Sequence, residues 1–427
     1  MYLAVLGRQP DLSLAELEAL FSNVHKINNE LATFNNDFVP DINRLGGSIK
    51  LAIKLNEKPL EYLQKLDSGK ITLGVSDYSK HASRKSASLE ALKLKKILVR
   101  HGRSVRVVEN KDAILTTATS LHNGLSGKNN RKIEFIKHND DWYKVIGIQD
   151  IDAYARRDQA RPARDAKVGM LPPKLAQILI NLCGPLPENS TILDPFCGTG
   201  VVLQEALLMG YHAYGTDLSD RMVEYTEKNL NWLLSDSKHL TRDHCDQRGA
   251  SKRLSPVTTG AKERVENQAF RIAPGDATSF EWQPPIDAVA CEGYLGKPMS
   301  TIPSDIKLKT EKQECGTIIL GFLKNLAPQI KPGTPVVIAC PAWLREDGAY
   351  SRLEIFSEKR IDRSRSLSEE KQSFSSEATT SGQLFSEKKV DEIREMGYNV
   401  NNKSREGLIY HRDGQIVARD IIILRKN

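Results

Sequence analysis

The stretch Thr191–Ser219, TILDPFCGTGVVLQEALLMGYHAYGTDLS, decides how the C-terminal half of this chain is read. A β-branched segment ends on Asp194, a turn carries Gly198 and Gly200, an apolar helical segment follows, and a second strand ends on Asp217. Glycines in such a turn let the backbone approach a ligand closely, and the following helix offers unpaired N–H groups with partial positive charge. Asp194 stands where ligands bind in open α/β sheets. Asp217, about 20 residues further along, is placed to accept hydrogen bonds from a ribose diol. The turn D-P-F-C-G-T-G does not match the G-x-G-x-x-G fingerprint of dinucleotide-binding folds.

Strands and helices alternate from Ser190 onward, as a parallel sheet requires. The predicted strands are Thr191–Asp194, Ala213–Asp217, Ala269–Ile272, Asp287–Cys291, Val336–Cys340, Leu408–His411 and Asp420–Leu424. Two polar stretches, 235–267 and 357–389, interrupt that order and read as flexible surface insertions. The expectation is a doubly wound, seven-stranded Rossmann-like domain over 190–427. Before it, 151–189 reads as a basic linker, a double proline and a helix over Pro173–Leu182, with proline at its start. Residues 1–150 mix strand alternation (SVRVVEN at 104–110, WYKVIGIQD at 142–150) with a helical pattern at 89–102, giving an α+β domain.

At 427 residues the chain is too long for one ordinary domain. No apolar run reaches the roughly 18 residues of a membrane span, and the N-terminus lacks the features of a signal peptide. Six cysteines lie scattered without metal-ligand spacing, so a cytoplasmic protein with reduced thiols and no metal is expected. Net charge is +7, unevenly spread: Lys80, Arg84, Lys85, Lys93, Lys95, Lys96, Arg100, Arg103 and Arg106 are interrupted by one acid, Glu90. Such a run releases counterions from a phosphate backbone and favours nucleic acid as partner, although a solvated helix face reads the same way.

The D-P-F-C-G-T-G turn resembles the first motif of class I S-adenosylmethionine-dependent methyltransferases. YLAVLGRQPDLSLAELEALF, RRDQARPARDAKVGMLPPKLAQILINL, ILDPFCGTGVVLQEAL and IYHRDGQIVARDIIIL are similar to the tRNA guanine-N2 methyltransferases that carry an N-terminal THUMP module. The resemblance implies a THUMP-like, tRNA-binding domain over 1–150, with Lys93, Lys95, Lys96, Arg100 and Arg103 as RNA contacts. It also implies S-adenosylmethionine as cofactor. Asp165, Met170, Leu171 and Pro172 would lie at its methionine end. Asp194, Phe196, Gly198 and Gly200 would line the turn, Asp217 and Leu218 the ribose side, and Asp276 and Ala277 the adenine.

Amino-group methyltransferases of this kind carry D/N-P-P-Y after the fourth strand, where this chain has ACEGYLG. Matching the final glycine puts Glu292 at the acid; matching the aromatic puts Cys291 there instead. The first register is preferred, because a carboxylate can orient an amine and accept its proton, and Gly293 gives the longer glutamate room. Glu292 and Tyr294 are then the catalytic candidates, with the tyrosine ring stacking on an unstacked base. Competing readings are a non-catalytic RNA-binding protein with a degenerate methyltransferase domain, a DNA amino-methyltransferase, and a methyl-carrying cysteine at Cys291 or Cys197.

Overall fold

The computed structural model describes residues 1–165, 170–235, 269–353, 355, 392–401, 403 and 407–427. The expected insertion 357–389 lies outside the described residues, as does all of 235–267 except Ser235. The chain divides into two compact units, Met1–Ala160 and Arg161–Asn427.

The first unit runs β1 (Tyr2–Leu6), α1 (Pro10–Leu20), β2 (Ser22–Lys26), β3 (Leu31–Asn35), β4 (Ser48–Lys54), α2 (Pro59–Gln64), β5 (Ile71–Asp77), α3 (Arg84–Arg100), β6 (Val105–Val107), α4 (Thr117–His122), β7 (Lys132–His138), β8 (Asp141–Ile148) and α5 (Ile151–Gln159). Its eight strands form one sheet in the order β2-β3-β1-β4-β8-β7-β5-β6. Only β5 pairs in parallel, with β6 and β7; the other pairs are antiparallel. This is the α+β architecture that the mixed periodicity implies.

Two boundaries differ from the sequence reading, each for a local reason. Helix α3 begins at Arg84 rather than Leu89, because Ser83 and Ser86 form a reciprocal capping box. The expected linker is split between the units. Helix α5 follows β8 directly, started by the Asp150 carboxylate accepting from the Ala153 N–H. The segment at Ala163 is instead bonded in both directions to the amide of Asn229, in the second unit.

The second unit runs α6 (Pro173–Leu182), β9 (Thr191–Asp194), α7 (Val201–Leu208), β10 (His212–Asp217), α8 (Asp220–Ser235), β11 (Phe270–Pro274), β12 (Ala288–Glu292), α9 (Asp305–Leu326), β13 (Pro335–Leu344), β14 (Tyr350–Ser351), β15 (Tyr398–Val400), β16 (Ile409–Tyr410) and β17 (Val417–Lys426). Seven strands lie in the order β11-β10-β9-β12-β13-β17-β15, with β14 and β16 as short additions at β13 and β17. From β11 to β13 every pair is parallel, and β17 enters antiparallel between β13 and β15. The seventh strand of the path is Tyr398–Val400, which sequence alternation did not single out; the expected strand over 408–411 is the two-residue β16.

Strands β9, β10 and β11 step outward in one direction, and the chain then returns to lay β12 on the other side of β9. That reversal opens a crevice at the carboxyl ends of β9 and β12, the place where doubly wound sheets receive ligands. Leu193, Val289, Val336 and Ile338 fill the sheet's core against Ile319, Phe322 and Leu323 of α9.

Candidate active site

Strand β9 delivers Asp194 to the rim of the crevice, and the turn after it is held from below. The Gly198 carbonyl accepts from the Thr226 hydroxyl at 2.8 Å, and the Thr199 carbonyl accepts from Asn229 Nδ2 at 2.8 Å. Gly198 and Gly200 have φ of 53° and 81°, the left-handed region that glycine enters without strain. They serve different purposes. A Cβ on Gly200 would lie 2.8 Å from Thr226 Cγ2, so this glycine lets α7 pack on α8. A Cβ on Gly198 would meet nothing nearer than the Phe196 carbonyl at 3.9 Å, so the space above it is open to a ligand.

The Asp217 carboxylate faces the same turn. One oxygen accepts the Gly198 N–H at 2.9 Å and the other the Ser219 N–H at 2.9 Å. Each oxygen retains a further lone pair for a ribose hydroxyl. Leu218 beside it is 78% exposed, an apolar side chain left outside the core at the rim. Asp276 is exposed, and its Oδ1 accepts from both the Thr278 N–H and hydroxyl. Those bonds hold its carboxyl below the usual carboxylate range, while Ala277 is buried. Phe196 is half-buried and packs edge-on against Phe322, with ring centroids 5.3 Å apart.

At the other end, Asp165 is buried and ion-paired to Arg221 at 2.8 Å, and Arg161 Nη2 donates to Met170 Sδ at 3.4 Å. Leu171 and Pro172 are buried at the start of α6. Asn229, which bonds both Ala163 and Thr199, links this segment to the glycine turn. Nothing in the spacing of Asn229, Thr226 or Arg221 along the sequence announces these roles; they emerge because α8 lies under the turn.

Strand β12 ends on Glu292, hydrogen-bonded in register with β13, and Gly293 continues the pairing through its N–H to the Ala339 carbonyl. Arg419 of β17 reaches across β13 to Glu292: Nε donates to Oε1 at 2.5 Å. The arginine side chain is 6% exposed and the glutamate side chain 18%. The Tyr294 hydroxyl donates to Glu314 Oε1 at 3.2 Å, and its ring packs at the edge of the core. Burial first, and then that carboxylate, push the Tyr294 hydroxyl up to about 12.

Asp194 is fully buried at the centre of these acids. Burial pushes its carboxyl well above the usual carboxylate range; the Phe196 N–H opposes this, and the charges of Asp217 and Glu292 add to it. Burial likewise raises the thiols of Cys197 and Cys291 well above their ordinary range, which works against either serving as a thiolate nucleophile.

These residues fit S-adenosylmethionine: an open cradle over Gly198, a carboxylate with spare acceptor capacity at Asp217, and an exposed apolar side chain at Leu218. Residues 161–292 match a family model described as RMKL-like, methyltransferase domain. The tRNA (guanine(10)-N2)-dimethyltransferase of Methanothermobacter thermautotrophicus is 43% identical over 94 residues, covering 21% of this chain and 28% of the relative. That of Pyrococcus abyssi is 29% identical over 245 residues, covering 54% of this chain and 67% of the relative. By sequence, the chain is similar to the tRNA guanine-N2 methyltransferases. It spans well under two thirds of the Methanothermobacter relative's length and about that share of the Pyrococcus one. Among solved structures, TrmN from Thermus thermophilus aligns over 100% of this chain and 99% of its own, at 14% identity and a TM-score of 0.43.

Arg84, Lys85, Lys93, Lys95, Lys96 and Arg100 of the basic run lie on α3 in the first unit. Lys93, Lys96 and Arg100 are exposed, and Lys95 is half-buried. Arg103 does not belong with them. Its Nη1 and Nη2 donate to the carbonyls of Leu66 and Asp67 at 2.9 and 2.7 Å, which ties down a loop of its own unit. Among the described residues no three His, Cys, Asp or Glu side chains are grouped to hold a metal ion, and no helix is long and apolar enough to cross a membrane.

Proposed function

We propose that this chain is a cytoplasmic, S-adenosylmethionine-dependent methyltransferase acting on the exocyclic N2 amine of a guanosine in tRNA. In this reading residues 1–150 act as a THUMP-like module that holds the tRNA. The observation that carries it is Glu292, a carboxylate at the end of β12 beside the glycine turn, with Oε1 engaged by Arg419 and the side chain still partly open. The names of the sequence relatives support the choice of amine.

S-adenosylmethionine supplies, when bound, a methyl carbon already activated by its sulfonium. The chain's own residues do the rest by positioning. Gly198 admits the ligand, Asp217 and Leu218 flank its ribose with Asp217 accepting bonds from the diol, and Asp276 faces its adenine. The target guanosine is unstacked into the crevice, where the Tyr294 ring flanks it. Glu292 accepts a hydrogen bond from the amine and so aims the nitrogen's lone pair at the methyl carbon. The cations of α3 meet tRNA phosphates.

Incubating the purified full chain with bulk tRNA and S-adenosylmethionine, then analysing nucleosides by mass spectrometry, tests this directly. N2-methylguanosine or its dimethyl form is the expected product. Methylation of another nucleoside would reassign the substrate, and cofactor binding without any methylated product would favour the non-catalytic reading.

A further inference from the structure

Arg419 is 127 residues from Glu292 in sequence, and one strand lies between β12 and β17. Its guanidinium engages one glutamate oxygen only: Nε meets Oε1 at 2.5 Å, while Nη1 turns to Gln415 Oε1 at 3.5 Å. Among the described residues Oε2 accepts no hydrogen bond, and it is not one of the fully buried, unpartnered atoms. A carboxylate held this way cannot rotate freely, and its two oxygens are no longer equivalent.

We propose that Arg419 is a positioning residue that fixes Oε1 of Glu292 and leaves Oε2 as the acceptor for the target amine. The inference rests on the function proposed above. It carries a consequence that a simple charge argument lacks. In Glu292→Gln the Arg419 Nε–H, being only a donor, selects the amide carbonyl as its partner. The amide NH2 is then forced toward the substrate NH2, donor against donor. Removing Arg419 releases the amide to turn its carbonyl toward the amine.

The test compares wild type, Arg419→Met, Arg419→Lys, Glu292→Gln and the double variant Glu292→Gln/Arg419→Met by steady-state methylation of tRNA. Cofactor binding, measured by calorimetry, reports folding of the site. Arg419→Met is expected to lower kcat by about tenfold or more, on the scale of losing a positioned group, with the KM for tRNA and cofactor held within about twofold. Arg419→Lys keeps a buried cation and a donor, and recovers much of that loss. Glu292→Gln falls by about 100-fold, and the double variant is faster than Glu292→Gln alone.

Wild-type kcat in Arg419→Met, or a double variant no faster than Glu292→Gln, overturns the proposal. Should the methionine variant not bind cofactor, Arg419→Lys decides: an inactive lysine variant with intact cofactor binding also overturns it. A wild-type protein that methylates no tRNA overturns the proposed function and this inference together, whereas an active wild type with an indifferent Arg419 overturns only the inference.

Discussion

In the N-terminal sheet, Glu134 of β7 meets Lys50 of β4 at 2.6 Å, with side chains 0% and 1% exposed. In the C-terminal sheet, Glu292 of β12 meets Arg419 of β17 at 2.5 Å. The first pair is closed. Glu134 Oε1 accepts from Lys50 and from the Ser76 hydroxyl, and Oε2 from the Ser120 hydroxyl, while the lysine also donates to Ser120 and to the Leu115 carbonyl. The second is open, with one oxygen held and the other without a partner among the described residues. A buried ion pair whose lone pairs and protons are all matched fixes an arrangement of strands. One left half-matched at the carboxyl edge of a parallel sheet is available for chemistry.

Breaking the closed pair should produce the largest effect. Lys50→Met leaves Glu134 buried without its cation, a change on the scale of 3–5 kcal/mol, roughly. Hydrogen exchange of peptides from β4 and β7 would read it as reduced protection, and Lys50→Met/Glu134→Leu should recover most of it. Full protection in the single variant would mean that the lysine contributes little to holding these strands.

The open pair should respond in function instead. Glu292→Gln is expected to leave cofactor affinity and exchange protection unchanged while slowing methyl transfer by about 100-fold. Simultaneous loss of both would place Glu292 with the structural pairs and erase the distinction. Beside it, Tyr294→Ala should remove base stacking worth roughly 1–3 kcal/mol, read in kcat/KM, whereas Tyr294→Phe keeps the ring and should be mild. Equal losses in the two variants would shift the tyrosine's part from its ring to the hydroxyl bond with Glu314.

Asp217→Ala should weaken S-adenosylmethionine binding by about tenfold, the scale of removing a hydrogen bond to a charged group, measured by calorimetry. Unchanged affinity would confine Asp217 to bracing the turn through Gly198 and Ser219. The smallest effect belongs to the first unit's surface. Replacing Lys93, Lys96 and Arg100 with Ala should reduce the log–log salt slope of tRNA binding by about two to three, near one for each phosphate that is no longer neutralised. The same substitution at Arg103 should leave the slope unchanged, because its guanidinium is already committed to backbone carbonyls.

Much of the second unit was legible in order along the chain. The β-branched strand, glycine turn and acid at the next strand end are local signals, because each reflects a backbone preference or a strand's end rather than a distant pairing. The helix over Pro173–Leu182 and strand β9 stand where periodicity and proline place them. The seventh strand did not announce itself, since Tyr398–Val400 is three residues long and takes its place only by pairing with β17. Nor did charge density distinguish Arg103 from its neighbours: composition counts a cation without saying what it already touches.

The sequence by itself determined where the acids and glycines stand: Asp194, Asp217 and Asp276 follow successive predicted strands, and Glu292 closes the next. Backbone direction and side-chain chemistry are properties of short segments, so the crevice's inventory could be drawn up from them. Only the tertiary structure decided what each acid faces. It buried Asp194 among other carboxylates, engaged Asp217 with the turn's own N–H groups, and brought Arg419 against Glu292 across an intervening strand. Such pairings depend on strand order and register, which bring together residues far apart along the chain and which no local pattern of residues encodes.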